Sequence, residues 1–489
     1  MKTPLVGIAA LLVALIPCAA KAQTISPRTV PVQMGQQFDI IPSDRGPMGG
    51  IRIALDDALL DPFVNPSKAT RVSSAYLSIA PHLVSQSDRR GGGKTMPLVG
   101  VYTDGTWAFG GMFAMQQLDR PQQWNTPTSE RSANNRYLSA LVARRFGNGY
   151  SVGLSGYSAT LEAEQGIDLL YSGSDRIVQD GRSSDVRLGV TREWDEGKVW
   201  EAMVLRSSFD MTHDVHFPAG RQFVPPNTFT NIPERSENYR DQTTRVGLHT
   251  EHTRPIGAEG WKVGVLGTVN RLSHPKIPDY RINNVITVPR DPGTTWAYNA
   301  GVGLAREIGD ATFGFDLIAE PMFSTTWAEA ARDTVSASGT PIAKGGHTVD
   351  NKMRFDNMQF RFGFERIAPP DEKTHFGVQL GLAAYSIRYH LDQTDQVRET
   401  SRAQREQWTE WTPSIGLKLR NPRYEVRYAL SFTCGGGGSC FDCVLVCGSD
   451  DVVLSSPGDG GVIAAPTDQL RFDGGRVTTQ RLTVSVRFR

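Results

Sequence analysis

The chain has 489 residues, a formal net charge of +1 and 39% hydrophobic residues. Without a basic excess there is no counterion release to drive binding to a phosphate backbone, so nucleic acid is excluded as a partner. A mean hydropathy of −0.32 leaves a membrane barrel open, because barrel strands face lipid on one side and water on the other.

Lys2 precedes an apolar run from Leu5 to Ala20, and Ala20-Lys21-Ala22 has the small-x-small form of a cleavage site. Residues 1–22 therefore read as a secretory signal peptide, with a mature start at Gln23. Cys18 would suit a lipoprotein anchor, but Pro17 directly before it fits that motif poorly. Beyond Ala22 there is no run of 18 apolar residues, so no transmembrane helix is expected. Residues 23–69 are too short and too rich in Pro and Gly to fold alone. They read as a plug inside a barrel or as a periplasmic arm.

From residue 70 to 489 the chain reads as barrel. Strand-like segments come in pairs joined by short turns at 103–106, 147–149, 195–198, 255–260, 308–310, 369–373 and 421–423. Asn-Gly, Asp-Gly and Gly-Asp in these turns supply the positive φ of tight hairpins. Longer polar loops follow at 119–133, 164–182, 213–237, 275–294, 328–348, 393–404 and 434–472. Short turns on one side and long loops on the other are the pattern of an outer-membrane barrel. Seven hairpins, one strand at 70–83 and one at 477–488 predict sixteen strands, all-β and antiparallel; fourteen follow if 70–83 belongs to the plug and one further segment is not a strand.

Side chains alternate along these segments. Leu482, Val484, Val486 and Phe488 share one face, opposite Arg481 and Arg487. Met358, Phe360, Phe362 and Phe364 oppose Arg361 and Glu365; Ile415, Leu417 and Leu419 oppose Lys418 and Arg420; Tyr424, Val426 and Tyr428 oppose Glu425 and Arg427. A charge in the lipid face costs about 2–4 kcal/mol near mid-membrane. Arg361, Glu365, Lys418, Arg420, Glu425, Arg427, Arg481 and Arg487 are therefore expected to face the lumen. A soluble all-β protein alternates too. Strands of ten residues or so, and the long edges that sixteen of them would expose, argue against it. Tyr102, Trp107, Phe146, Tyr150, Trp194, Trp200, Trp261 and Tyr424 flank the short turns, where an aromatic girdle would sit.

Cys434, Cys440, Cys443 and Cys447 fall within fourteen residues. In an exported chain they read as two local disulfides with three pairings open. The spacing contains one C-x2-C, but no His lies nearby to complete a zinc set. His213 with His216, and His249 with His252, are expected at opposite ends of neighbouring strands, roughly 30 Å apart, as solvated or rim histidines. No spacing selects a Ser/His/Asp set, and Gly91-Gly92-Gly93-Lys94-Thr95 lacks the upstream Gly of a P-loop. No catalytic, metal or cofactor set is expected, and the chain is not expected to be an enzyme.

Two segments resemble known families. Thr483-Val484-Ser485-Val486-Arg487-Phe488-Arg489 resembles the terminal β-signal of outer-membrane proteins, with the aromatic penultimate instead of final. That resemblance implies the barrel-assembly machinery as a partner and the cell outer membrane as the destination. Ala54-Leu55-Asp56-Asp57-Ala58, followed by Phe63-Val64-Asn65-Pro66-Ser67-Lys68-Ala69, resembles the Ala-Asp-Asp-Ala and Asn-Pro-Ala segment of long-chain fatty-acid transporters (the FadL type). It departs at Ser67, where that family has Ala. In that family the segment leads from the plug into the first strand of a fourteen-stranded barrel. The resemblance makes Asp56, Asp57, Asn65 and Pro66 the plug motif. It implies a plugged barrel passing hydrophobic molecules, or a barrel with an assembly role. The combined expectation is an outer-membrane channel or transporter for hydrophobic or small solutes, held in lipid. The alternative is a non-conducting barrel in surface binding, secretion or assembly.

Overall fold

A computed structural model describes residues 36–86, 92–119, 132–164, 174–224, 228–257, 259–274, 281–282, 285–286, 292–330, 332–368, 374–437 and 476–488. Residues 1–22, expected to be a signal peptide, the turn expected at 369–373 and Cys440, Cys443 and Cys447 lie outside the described residues.

Sixteen strands form the wall. They are β1 (Ala75–Ile79, resuming as His82–Gln86), β2 (Gly92–Thr103), β3 (Trp107–Asp119), β4 (Ser132–Arg145), β5 (Tyr150–Leu161) and β6 (Arg176–Glu193). β7 (Val199–Phe217), β8 (Arg235–Ile256), β9 (Trp261–His274), β10 (Gly293–Ile308) and β11 (Ala311–Glu329) follow. β12 (His347–Ala368), β13 (His375–Asp395), β14 (Thr400–Arg420), β15 (Tyr424–Gly437) and β16 (Arg476–Phe488) complete it. Each strand pairs antiparallel with the next, and β16 closes on β1, with Ala75 opposite Phe488 and Gln86 opposite Val477. Closure removes the edges that an open sheet would leave unpaired. The count is sixteen, not the fourteen that the fatty-acid-transporter resemblance implies.

Three boundaries differ from the sequence reading. The first strand begins at Ala75, not at residue 70, because Pro66–Arg71 forms a 3-10 helix. It breaks at Ala80-Pro81, where Pro has no amide to give the ladder, and resumes to Gln86. The segments 213–237 and 393–404, read as loops, are largely strand: β7 runs to Phe217, β8 starts at Arg235, a short hairpin of Gly220–Val224 and Thr228–Ile232 lies between them, and β13 and β14 leave only 396–399 between them. Gly435 to Gly437, read as the start of the loop 434–472, continue β15. The cause is length. At about 3.3 Å per residue the 22 residues of β8 reach about 70 Å, far beyond an apolar band about 25 Å tall. The outer halves of such strands lie beyond the lipid, so their outward face is polar, and their apolar residues, such as Phe209, Met211 and Val215 of β7, are buried on the inner face instead.

The outside of the wall carries the apolar belt. Leu98, Phe113, Leu138, Val186, Leu248, Phe362 and Leu417 all stand exposed on it. A contiguous apolar surface around a whole barrel far exceeds what a soluble monomer shows. At the turn end, arginines clamp the aromatic anchors. Arg144 lies 5.0 Å from the Trp107 ring and 5.1 Å from Phe146; Arg192 lies 4.9 Å from Tyr150 and 4.4 Å from Trp194; Arg306 lies 5.0 Å from Trp261.

Candidate functional site: the N-terminal belt and its glycine ring

Residues 37–71 run around the inside of the wall. Asp57 organises the first half: its carboxylate accepts from Ser43 Oγ (2.5 Å) and from the amides of Asp44 (3.0 Å), Arg45 (3.2 Å), Leu59 (3.1 Å) and Leu60 (3.0 Å). The second half holds helix α1 (Asp61–Val64) and the 3-10 helix Pro66–Arg71. Asn65 caps that 3-10 helix, its Oδ1 accepting from the Ser67 amide at 3.2 Å, and Pro66 sits at the first helical position, where a missing N–H costs nothing. Ile40, Ile41, Met48, Ile51, Ile53, Leu59 and Phe63 of the segment are buried.

The segment meets the strands in descending order. Gln116 of β3 donates to Gln37 O (2.7 Å), Arg481 of β16 to Ile41 O (3.1 Å), and Arg427 of β15 pairs with Asp44. Ser414 of β14 donates to Pro47 O (3.0 Å), Gln379 of β13 to Asp44 O (3.0 Å), and Arg361 of β12 to Gly50 O (3.0 Å). Asp316 of β11 accepts from the Arg52 amide (2.8 Å), and Thr253 of β8 donates to Ile53 O (3.1 Å). Asn65 donates to Glu201 of β7 (2.9 Å), Ser67 bonds Thr191 of β6 (2.6 Å), and Thr70 bonds Ser151 of β5 (2.8 Å). A sixteen-strand wall measures about 100 Å round at ~4.8 Å per strand and ~40° tilt. Residues 37–71, at up to ~3.3 Å each, are long enough to circle it.

Glycines on the inner face make the room. Gly153 and Gly189 are cross-strand partners, as are Gly264 and Gly303, and Gly314, Gly363 and Gly381 form a continuous row. A β-carbon on Gly363 or Gly416 would come within 2.6 Å of the Met48 or Pro47 β-carbon; on Gly153 or Gly381 it would strike the segment's backbone. The sequence reading missed this ring. Its signal was there: glycines at the inward phase of strands that otherwise alternate.

The eight charged residues of the strand reading pair with one another or with the segment. Glu365 accepts from Arg45 of the segment (3.2 Å) and from Lys418 (3.0 Å). Arg361, Arg427 and Arg481 bind the segment as described. Glu425 gathers Arg427, Arg487 (2.5 Å) and, more loosely, Arg420 (3.8 Å). Of the motif residues, Asp56 forms a two-pronged ion pair with Arg71 (2.8 and 3.0 Å). Cys434 lies in β15 opposite Trp411 and Arg476.

Two histidines differ from expectation: His213 and His249 are buried, not solvated at a rim. Both point inward, where polar neighbours offset the cost of burial. His213 lies between Asp241 Oδ2 and Gln179 Nε2, 3.0 Å from each, with Glu164 beside it. His249 Nδ1 lies 2.7 Å from Thr268 Oγ1. His216 sits further out, 2.5 Å from Asp175 and 2.9 Å from Glu234.

Lys68 is the main charged contact of the second half, 2.8 Å from Asp61 and 3.5 Å from Glu201. Burial disfavours its ammonium, but the carboxylates of Asp61, Glu201, Glu251 and Asp56 outweigh that and hold it above its ordinary range. Burial pushes the Asp61 carboxyl up to about 6 against the pull of Lys68. On the loop side of the glycine ring the inner wall carries an apolar patch that includes Leu272, Met322, Met353, Phe355, Ile387 and Tyr389. At the turn end a cavity of about 920 Å³ opens between Ala75, Asp310, His375, Arg420 and Phe488.

These features define a closed sixteen-stranded antiparallel barrel with its N-terminal segment belted inside. No protein-family model and no curated protein matches the chain. Among solved structures it is similar to the Pseudomonas putida toluene transporter TodX, with 10% identity and a TM-score of 0.40 over 92% of this chain and 98% of that one. A bacterial polysaccharide outer membrane secretin matches with 8% identity and a TM-score of 0.38 over 85% and 99%. The ferric enterobactin receptor PfeA of Pseudomonas aeruginosa matches with 10% identity and a TM-score of 0.32 over 84% and 81%.

Proposed function

We propose that this chain is an outer-membrane transporter whose N-terminal segment is a plug that closes the lumen and is displaced during passage of an apolar solute. The carrying observation is the belt: a segment tied to eleven of the sixteen strands, β3, β5 to β8 and β11 to β16, at a ring of glycines that leaves room for it. A transporter that must reseal needs such a seat. The segment is held by apolar packing of Ile40, Ile41, Met48, Ile53 and Phe63 and by hydrogen bonds and ion pairs, which water can replace one at a time. The inward apolar patch around Phe355 and Ile387 favours an apolar solute, because a general diffusion pore is polar inside. The exposed apolar belt and aromatic anchors fit insertion into the outer membrane, with the short turns in the periplasm.

Flux into liposomes carrying the purified full chain tests this reading. An apolar aromatic or fatty acid should enter faster than in empty liposomes, while a sugar of similar size should not. Sugar flux without apolar flux would point to a general pore and overturn the reading. Neither flux, in a verified inserted barrel, would point to a non-conducting role.

A further inference from the structure

Glu201 of β7 and Glu251 of β8 stand directly opposite each other on the inner face. Like charges in that relation repel. Lys68 reaches Glu201 at 3.5 Å, but among the described residues Glu251 has one ion-pair contact, His249 Nε2 at 3.8 Å. His249 is 3% exposed, and its Nε2 makes no hydrogen bond to any described residue. Its other nitrogen is fixed by Thr268 at 2.7 Å, which aims Nε2 at the two carboxylates. The three side chains present one nitrogen and two oxygens, all within 4.8 Å of one another.

We propose that Glu201, His249 and Glu251 form a binding site for a divalent metal ion of the zinc type, for which Lys68 competes at Glu201. The chemistry fits. Bonds of about 2.0–2.1 Å to nitrogen and oxygen place tetrahedral donors about 3.3 Å apart, so the 3.8 Å pair has to close by only about half an ångström. The Thr268 contact is the outer-shell bond that a metal-binding imidazole normally makes through its second nitrogen. A cavity of about 50 Å³ lies against Glu201, Glu251 and Lys68 and reaches the β6–β7 turn at Gly197, so a water can enter as fourth donor. An ion bridging Glu201 and Glu251 removes their repulsion and weakens the hold of Lys68 on β7. The site thereby couples metal binding to the seating of the segment. Metal binding itself does not depend on whether the barrel conducts.

Cobalt(II) titration of the tag-free, metal-stripped full chain in detergent tests the site. Cys434, Cys440, Cys443 and Cys447 are first changed to Ser to remove thiolate ligands. The expected result is saturable visible d–d absorption from one nitrogen/oxygen-ligated ion, displaced by zinc. His249→Gln and Glu251→Gln should abolish it. Thr268→Val should weaken it about 10- to 100-fold, and Lys68→Met should tighten it. Heat-modifiable migration on gels establishes that each variant is a folded barrel. An unchanged titration in His249→Gln, or no band in either the parent or Lys68→Met, overturns the proposal.

Discussion

Gly189 of β6 and Asn65 of the N-terminal segment are in direct contact: a β-carbon on Gly189 would overlap the Oδ1 atom with which Asn65 caps the Pro66–Arg71 helix. Wall and segment are thus fitted to each other at the level of single atoms.

Side chains added to the glycine ring should therefore unseat the segment without removing it. Gly189→Val and Gly381→Leu are expected to raise single-channel conductance well above that of the parent. Gly156, which has no atom near its missing β-carbon, supplies the control; Gly156→Val should leave conductance unchanged. Equal conductance in all three would mean that the segment yields without leaving its seat.

Arg187 is 1% exposed, lies 2.7 Å from Asp185 and donates to Val64 O at 2.9 Å. Removing one partner of a buried pair leaves a charge uncompensated, typically at about 3–5 kcal/mol. Arg245, 3.3 Å from Asp185, moderates that cost. Arg187→Met should lower stability by about 3 kcal/mol in urea unfolding from lipid vesicles and expose the peptide bonds around Val64 to protease. An unchanged midpoint would contradict the assigned pairing.

The hold of the segment should depend on pH. The Asp61 carboxyl is raised by burial to about 6 when docked, from 3.8 when free. A raised carboxyl favours docking most below pH 3.8, and that contribution is lost as pH rises through about 6. Protease susceptibility of the segment should increase across this window, and Asp61→Asn should flatten the rise. A profile with the opposite slope would show that Asp61 is not the responsible group.

Leu417 faces outward beside the inward Lys418. Leu417→Arg should destabilise the inserted barrel by about 2–4 kcal/mol, whereas an added charge on the outer half of β13, such as Thr394→Lys, should cost little. Folding titrations into vesicles read the difference, and equal costs would contradict the placement of the membrane band.

Much of the wall was legible in the sequence, because lipid imposes a two-residue alternation near the turns. Leu482 to Phe488 and Met358 to Phe364 carried it clearly. The outer ends of β7, β8, β13 and β14 were read as loop because beyond the lipid their outward positions are polar, as at Asp210, Thr212 and Asp214, and the apolar residues between them turn inward. The motif around Asp57 and Asn65 was visible as a string, but not its role as an internal scaffold. That role depends on partners such as Glu201 and Thr191, more than 120 residues away. His249 was singled out only as a rim histidine, and its grouping with Glu201 and Glu251 was not legible for the same reason: strand pairing brings Glu201 beside the other two, across 48 and 50 residues of chain.

The central claim is that residues 36–71 close the lumen. Planar-bilayer recording of the full chain beside a variant lacking those residues tests it most directly, with circular dichroism and heat-modifiability establishing that both are folded. The account predicts a silent or rarely opening parent and steady, large conductance in the deletion. Equal conductance in the two proteins would contradict it.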